Sequence, residues 1–468
     1  MKSNGDLVQA MRQKIQLELA FPVKPRGEAS RNTAAGTEAC VAKADVDSQA
    51  VVGPLMERIV ERDNLKKALA QVRRNKGAPG VDGMSVDDLV SHLKEHWPAI
   101  GTRLLEGTYE PQPVRRVEIP KASGGLRALG IPTVIDRFIQ QAVLQVLQGE
   151  WDPTFSDASF GFRPGRSAHQ AVKRAQALIA SGHGVVVDID LEKFFDRVNH
   201  DILMGLVAKR VADWRLLKLI RGFLTAGVLA HGLVGPTDEG TPQGGPLSPL
   251  LSNLMLDVLD KELETRGHHF VRYADDCNIY VRSRRAGERV MASVQGFLGR
   301  HLKLKVNSEK SAVALPVRRK FLGFSFTYGK EPRRRIAPQA IVRFKARVRE
   351  LTRRTKGASL ARIVEDLSRY LIGWRGYFGV CETPSVLQGL DRWIRRRLRA
   401  VVWKQWKHGR RRFGELRRRG VSKDLAAQTA GNAHGPWHLA NSPALTIALP
   451  NAFFATLGLA ALAQVPVA

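Results

Sequence analysis

Three aspartates open the case for chemistry. Asp190 closes the run Val185-Val186-Val187-Asp188-Ile189, and Asp275 and Asp276 stand side by side in Tyr273-Ala274-Asp275-Asp276-Cys277. The first run is β-branched and predicts a buried strand. The stretch from Phe270 to Val281 predicts a hairpin with Ala274-Asp275-Asp276 at its tip and Cys277, Ile279 and Val281 alternating on one face. Carboxylates that converge at strand ends repel one another unless water or a cation neutralises them. Magnesium meets that need with hard oxygen coordination. Two such ions suit phosphoryl transfer, where the attacking and leaving oxygens both carry charge. Taken singly, each aspartate reads equally well as a solvated loop residue. Asp188 lies two residues before Asp190 on the same strand face and competes for the ligand role.

The elements that must position these residues form a mixed pattern. Leu55, Ile59, Leu65, Ala68, Leu69 and Val72 have helical spacing, and the helix ends at the basic, Gly-rich stretch from Arg73 to Gly80. Ser85 is expected to cap a second helix. Glu118 to Thr133 predicts two short strands around Ser123-Gly124-Gly125, carrying Lys121 and Arg127. Helices are expected from Ile135 to Leu147 and from Ala168 to Ile179, and a short strand from Phe321 to Phe326. Beyond Ile336 the chain reads as helical and increasingly basic to Arg419. The fold class is therefore α+β, with an α-helical domain after the mixed core. Residues from Pro22 to Val52 lack periodicity and read as a flexible extension.

Charge points to the partner. The 468 residues carry 74 Lys and Arg against 44 Asp and Glu, a net charge of +30. Nucleic acid rewards that excess through counterion release, and anionic lipid is the competitor. The sequence has no apolar run of about 18 residues and no signal-peptide core in its first twenty, so no membrane partner is expected and the cytoplasm is the expected home. Cys40, Cys277 and Cys381 are too scattered for a disulfide framework or a cysteine zinc site. Between Asp391 and Gly420 stand thirteen Lys or Arg and two acids, interleaved with Trp393, Trp403, Trp406 and Phe413. Helical spacing turns Ile394, Leu398, Val401 and Val402 inward and the cations outward. The individual tryptophans read as core, while the cationic surface can bind RNA phosphates.

Five ordered blocks resemble reverse transcriptases. They are Asp190-Leu191-Glu192-Lys193-Phe194-Phe195-Asp196, Gly240-Thr241-Pro242-Gln243-Gly244-Gly245-Pro246-Leu247-Ser248-Pro249, Tyr273-Ala274-Asp275-Asp276, Asn307-Ser308-Glu309-Lys310 and Phe321-Leu322-Gly323-Phe324. The resemblance implies right-hand polymerase fingers and palm, with Asp190, Asp275, Asp276 and the backbone carbonyl of Leu191 holding two magnesium ions. It favours Asp190 over Asp188, because the family's ligand lies five residues before an aromatic, here Phe195. By the same resemblance Phe195 excludes a ribose 2′-hydroxyl, Lys121 and Arg127 grip the incoming dNTP, Gln243 contacts its sugar, and Lys310 protonates the leaving pyrophosphate. Residue by residue, core packing for Phe195 and plain solvation for Lys121, Arg127 and Lys310 are the competing readings.

Two further stretches narrow the resemblance to proteins encoded by bacterial group II introns. Gly77-Ala78-Pro79-Gly80-Val81-Asp82-Gly83 and Ser159-Phe160-Gly161-Phe162-Arg163-Pro164-Gly165 are similar to the family's fingers, whose N-terminal extension contacts template and intron RNA. Arg369-Tyr370-Leu371-Ile372-Gly373-Trp374-Arg375-Gly376-Tyr377-Phe378 resembles the maturase domain that doubles as thumb. Many relatives continue into a His-Asn-His endonuclease with paired cysteines, which this sequence does not display, and Ala128 stands where relatives commonly carry proline. The implied organisation is an extension (1–54), fingers (55–184), palm (185–335), thumb and maturase domain (336–420) and a tail with a candidate DNA-binding role (421–468). The implied function is target-primed copying of intron RNA into DNA within a ribonucleoprotein, together with splicing assistance. A splicing maturase without polymerase work, and a domesticated or defence-associated reverse transcriptase, are the alternatives.

Overall fold

Alternation along two strands decides how the centre of the molecule is built. The computed structural model describes residues 54–120, 126–230, 233–235, 239–241, 244–354 and 357–463. The extension expected before residue 54 lies outside them. In chain order the described strands are β1 (Val114–Pro120), β2 (Leu126–Ile131), β3 (Val185–Ile189), β4 (Val228–Ala230), β5 (Leu233–Gly235), β6 (His269–Tyr273), β7 (Asp276–Val281), β8 (Ala312–Ala314), β9 (Phe324–Phe326) and β10 (Arg334–Ile336). A four-stranded antiparallel sheet has the order β6-β7-β3-β8. Val185, Val187 and Ile189 of β3 join Cys277, Ile279 and Val281 of β7 in one hydrophobic cluster. Val186 and Tyr280 point the other way, into a second cluster with Val271, Phe321, Phe324 and Phe326. One face of these strands is apolar throughout, whereas the other is apolar at Val186 and Tyr280 and turns polar at Asp188 and Asn278. The expected alternation in β7 is present, and its other face, Asn278 and Tyr280, is buried as well.

Helices complete the first cluster. Val134–Trp151 and Ser248–Thr265 are buried along most of their length, and Leu55–Ile59, Arg62–Asn75 and Arg284–Phe297 add one apolar face each. A second sheet, ordered β2-β1-β4-β5, carries the predicted hairpin of β1 and β2, antiparallel with Ile119 opposite Arg127.

Three local expectations are corrected. The first helix is two, because Glu61 is extended between Leu55–Ile59 and Arg62–Asn75. Ser85 caps no helix: the second one runs Leu89–Leu105, and the Ser85 hydroxyl donates to Asp88 Oδ2 at 2.5 Å instead. Phe321 to Phe326 is a tight turn followed by a strand. Phe321 and Phe324 exchange backbone hydrogen bonds of 2.8 and 2.9 Å around Leu322 (φ 51°) and Gly323 (φ 82°), the left-handed pair of a type I′ turn.

Beyond β10 the chain is helical, with Pro338–Leu351, Leu360–Phe378 and Pro384–Gln405 the longest elements. They enclose a separate core containing Phe344, Leu367, Leu371, Ile394, Leu398, Trp403 and Trp406. Residues past 420 enter the same core through Val421, Leu439, Leu445, Leu449, Phe454 and Leu462. Buried Asp391 fastens them, accepting from the backbone N–H groups of Leu462 and Ala463 at 3.0 Å. Among the described residues no helix is long and apolar enough to cross a membrane.

Candidate active site

The register of the central sheet brings the aspartates together. Ile189 pairs with Cys277 and Asp188 with Asn278, so one further step sets Asp190 opposite Asp276, the first residue of β7. Parity then puts Asp188, Asp190 and Asp276 on one face of the sheet. Asp275 stands in the turn between β6 and β7. The Asp276 carboxyl is pushed up to about 7, first by lost hydration among crowding atoms and then by repulsion from Asp275, Asp188 and Asp190. Among the described residues no three His, Cys, Asp or Glu side chains stand close enough to enclose an ion by themselves.

Asp188 and Asp190 differ in what they meet. Asp188 is largely buried and held by Arg319, whose Nη2 lies 2.6 Å from Oδ2. Burial raises its carboxyl and the guanidinium opposes that rise. Its charge is therefore taken up by the protein. Asp190 is half-buried, with Oδ1 3.7 Å from Lys310 Nζ, an exposed ammonium. An ion pair so open to water contributes only about 0–1 kcal/mol, which leaves both groups able to take other partners. Of the two, Asp190 is the carboxylate less engaged by the protein's own groups.

The loop that carries Lys310 holds Asp190 in place. Its N–H donates to Ser311 Oγ at 2.9 Å, and its carbonyl accepts from Asn307 N–H at 2.8 Å. Asn307 Oδ1 in turn accepts from the N–H groups of Glu309 and Lys310 at 3.1 and 3.2 Å. Arg319 also donates to the Lys310 carbonyl, so Asp188 anchors the lysine loop through it. Asn307-Ser308-Glu309-Lys310 was singled out for its lysine, whereas Ser311 and Arg319 carried no signal in isolation.

The turn that bears the acidic pair is strained. Ala274 has φ +56°, a left-handed conformation that costs an L-residue roughly 1–2 kcal/mol. Gly161 lies against it so tightly that a Cβ there would be 2.2 Å from the Ala274 nitrogen. Only glycine permits that approach.

The remaining expected site residues fall into three groups. Phe195 lies in the single turn Phe194–Asp196, is 9% exposed, and its carbonyl accepts from Thr241 N–H at 2.7 Å. Leu191, 7% exposed, bridges to Val306. Lys121 and Gln243 lie outside the described residues, as does the Arg127 side chain. Arg163, part of a block similar to the fingers of intron-encoded proteins, is 6% exposed and turned inward. Its guanidinium pairs with Asp152 at 2.8 Å and donates to the Ser156 and Ser159 carbonyls at 2.6 and 3.0 Å. A buried fork with so many acceptors is a fastening of the interior.

The helical region has a cationic exterior. Of its thirteen Lys and Arg between 391 and 420, Arg399 alone is buried, donating to the Leu449 carbonyl at 3.0 Å. Trp403 and Trp406 are core, as expected, and Trp393 is half-buried with Lys345, Arg349 and Arg397 within 5.7 Å of its ring.

Known proteins match along the same two regions. Residues 119–326 match the model of the reverse transcriptase (RNA-dependent DNA polymerase) family, and residues 341–420 match that of the group II intron, maturase-specific domain. Protein YkfC of Escherichia coli (strain K12) is 33% identical over 299 residues, covering 55% of this chain and 78% of YkfC. Group II intron-encoded protein LtrA of Lactococcus lactis subsp. cremoris is 43% identical over 188 residues, covering 40% of this chain and 31% of LtrA. An uncharacterized 91 kDa protein in the cob intron of Schizosaccharomyces pombe is 34% identical over 192 residues, covering 41% of this chain and 22% of that protein. The match thus spans most of YkfC and less than a third of the intron proteins. With a reverse transcriptase region followed by a maturase-specific domain, the chain belongs to the group II intron reverse transcriptase and maturase family.

Proposed function

We propose that this chain extends a DNA primer on an RNA template with deoxynucleoside triphosphates, and that it binds the RNA of its own intron to assist splicing. One observation carries the reading: a single sheet face bears Asp190 opposite Asp276, beside Asp275, with the Lys310 ammonium 3.7 Å from Asp190. Such oxygen donors suit magnesium, which keeps several waters and needs only one or two protein carboxylates besides substrate phosphates. Mutual repulsion at Asp276 is the electrostatic state that a divalent cation relieves. Asp190, Asp275, Asp276 and the Leu191 carbonyl would hold two such ions. When bound, they stabilise charge on the attacking and leaving oxygens.

The protein's own groups supply the rest. Lys310, weakly paired and exposed, is free to give a proton to the departing pyrophosphate. Phe195, pinned by its backbone to Thr241, stands as a wall against a 2′-hydroxyl. Lys121 and Arg127 contact the triphosphate and Gln243 the sugar. The cationic helical face neutralises RNA phosphates, with fingers at 55–184, palm at 185–335, thumb and maturase region at 336–420 and a DNA-binding tail at 421–468. In the cell the substrate is intron RNA primed from a DNA target, within a cytoplasmic ribonucleoprotein.

The test is primer extension by the purified full chain on an RNA template with magnesium and dNTPs. Wild type is expected to extend and Asp275→Asn is not. Equal rates in the two proteins would end the polymerase reading.

A further inference from the structure

The aspartates occupy one face of the central sheet, and what lies on the other face has no part in the chemistry described so far. Arg272 stands there. It pairs with Cys277 across β6 and β7, so its side chain leaves the sheet on the side opposite to Asp276. It is 0% exposed, as is Asp260 on the helix Ser248–Thr265 beneath. Arg272 Nε lies 2.8 Å from Asp260 Oδ1, and Nη2 lies 2.5 Å from Oδ2, a two-pronged ion pair. The third arm does something else. Nη1 donates to the carbonyl of Ala274 at 2.9 Å and to Asn253 Oδ1 at 3.0 Å.

Ala274 is the left-handed residue that swings the chain into Asp275. Its carbonyl belongs to the peptide that carries the Asp275 N–H, so a bond to that oxygen orients the plane from which the acidic pair projects. Asn253 extends the grip by donating from Nδ2 to the Gly161 carbonyl at 2.9 Å. Gly161 is the residue whose backbone presses on Ala274 and Tyr273. The segment before it is tied to the same strand, because Phe160 N–H donates to the Arg272 carbonyl and Arg272 N–H to that of Ala158, each at 2.9 Å. The turn is thus held by a guanidinium and a glycine backbone, and one asparagine joins the two.

We infer that Arg272 is a positioning residue for the polymerase reaction: through Ala274 it fixes where Asp275 and Asp276 stand relative to Asp190, with Asp260 and Asn253 holding its guanidinium in place and Gly161 closing the turn from the other side. A buried arginine of purely structural purpose would satisfy its donors anywhere. This one spends a donor on the single carbonyl that leads into the acidic pair. The inference rests on the polymerase reading of those aspartates.

Replacing Arg272 by alanine would strand the buried Asp260 charge and unfold the region, so the tests use gentler changes in the full chain. Arg272→Lys keeps a cation for Asp260, but its compact ammonium lacks the planar fork that also reaches Ala274 and Asn253. Gly161→Ala leaves the ion pair intact and drives a methyl into the Ala274 backbone. Each is expected to lower kcat by about 100-fold, the cost of misplacing a reacting group by about 1 Å. KM for dNTP and affinity for RNA stay at wild-type values. Manganese binding, read by electron paramagnetic resonance without substrate, weakens in both variants while the melting temperature of at least one is retained. Wild-type kcat and manganese affinity in either folded variant overturn the inference. Asp275→Asn is the control: if it is inactive while both variants are fully active, the inference alone fails, whereas if it extends primers at the wild-type rate, the polymerase reading fails first.

Discussion

The sheet face at Asp190 and the helix surface around Arg410 both present concentrated charge to solvent, and they are built in opposite ways. On the sheet, a few like charges are brought together by strand register, and Asp276 is raised to about 7, by burial first and by their repulsion second. On the helices, twelve cations spread over an ordinary apolar core, some tied to neighbours, as Arg397 is to Thr352, and others, such as Lys407 and Arg410, exposed. Interaction at short range in a crowded site depends steeply on position, whereas phosphate neutralisation depends mainly on how many cations contribute. The first region should therefore fail when one group moves, and the second should fade gradually as cations are removed.

That contrast can be broken at several points. The largest effect is expected from Asp190→Asn, which should lower primer extension by on the order of a thousand-fold by removing several kcal/mol of charge stabilisation. Filter binding should give unchanged RNA affinity, and a parallel loss of both would blur the distinction between the regions. Trp403→Ala empties the centre of the helical core, where the ring is 1% exposed, and should cost about 3–5 kcal/mol in chemical denaturation. Lys310→Ala should reduce kcat by about 100-fold, read by single-turnover primer extension; a wild-type rate would leave Lys310 a surface lysine. Phe195→Ala should admit ribonucleotides, a change of about ten-fold or more in sugar discrimination, read by competition between dNTP and NTP. The smallest effect is the most diagnostic of additivity. Removing exposed Lys407, Arg410 and Arg411 together should reduce the slope of log affinity for single-stranded RNA against log salt by about 2, at about 0.7 per lost phosphate contact. A collapse of binding in place of that shift would mean the helical surface is as position-sensitive as the sheet.

Legibility followed the same division. Helical spacing in Ile394, Leu398, Val401 and Val402 was enough to foresee a buried stripe under a cationic exterior, because a 3.6-residue period needs no knowledge of the partner helix. The strand and hairpin around the aspartates were equally readable from β-branched runs and a polar tip. Side-chain partners were not. Arg163 sits in a block that resembles the fingers of intron-encoded proteins, and nothing in that resemblance pointed to its fastening Asp152 and two backbone carbonyls in the interior. Ser85 had the chemistry of a cap, and its hydroxyl went to Asp88, since a local carboxylate competes with the helix N–H groups.

Residue type and order alone determined that this chain has a mixed core, a basic helical region and three acidic residues suited to hard cations, because those follow from local period, composition and motif. Which of Asp188 and Asp190 keeps its charge available, and what sets the shape of the turn at Ala274, were decided only in three dimensions. Arg319 comes from 131 positions away to take Asp188, and Arg272 reaches under its own strand to Asp260 and Ala274. Long charged side chains choose their partners from whatever the fold brings within about 3 Å, and no pattern along the chain records that distance.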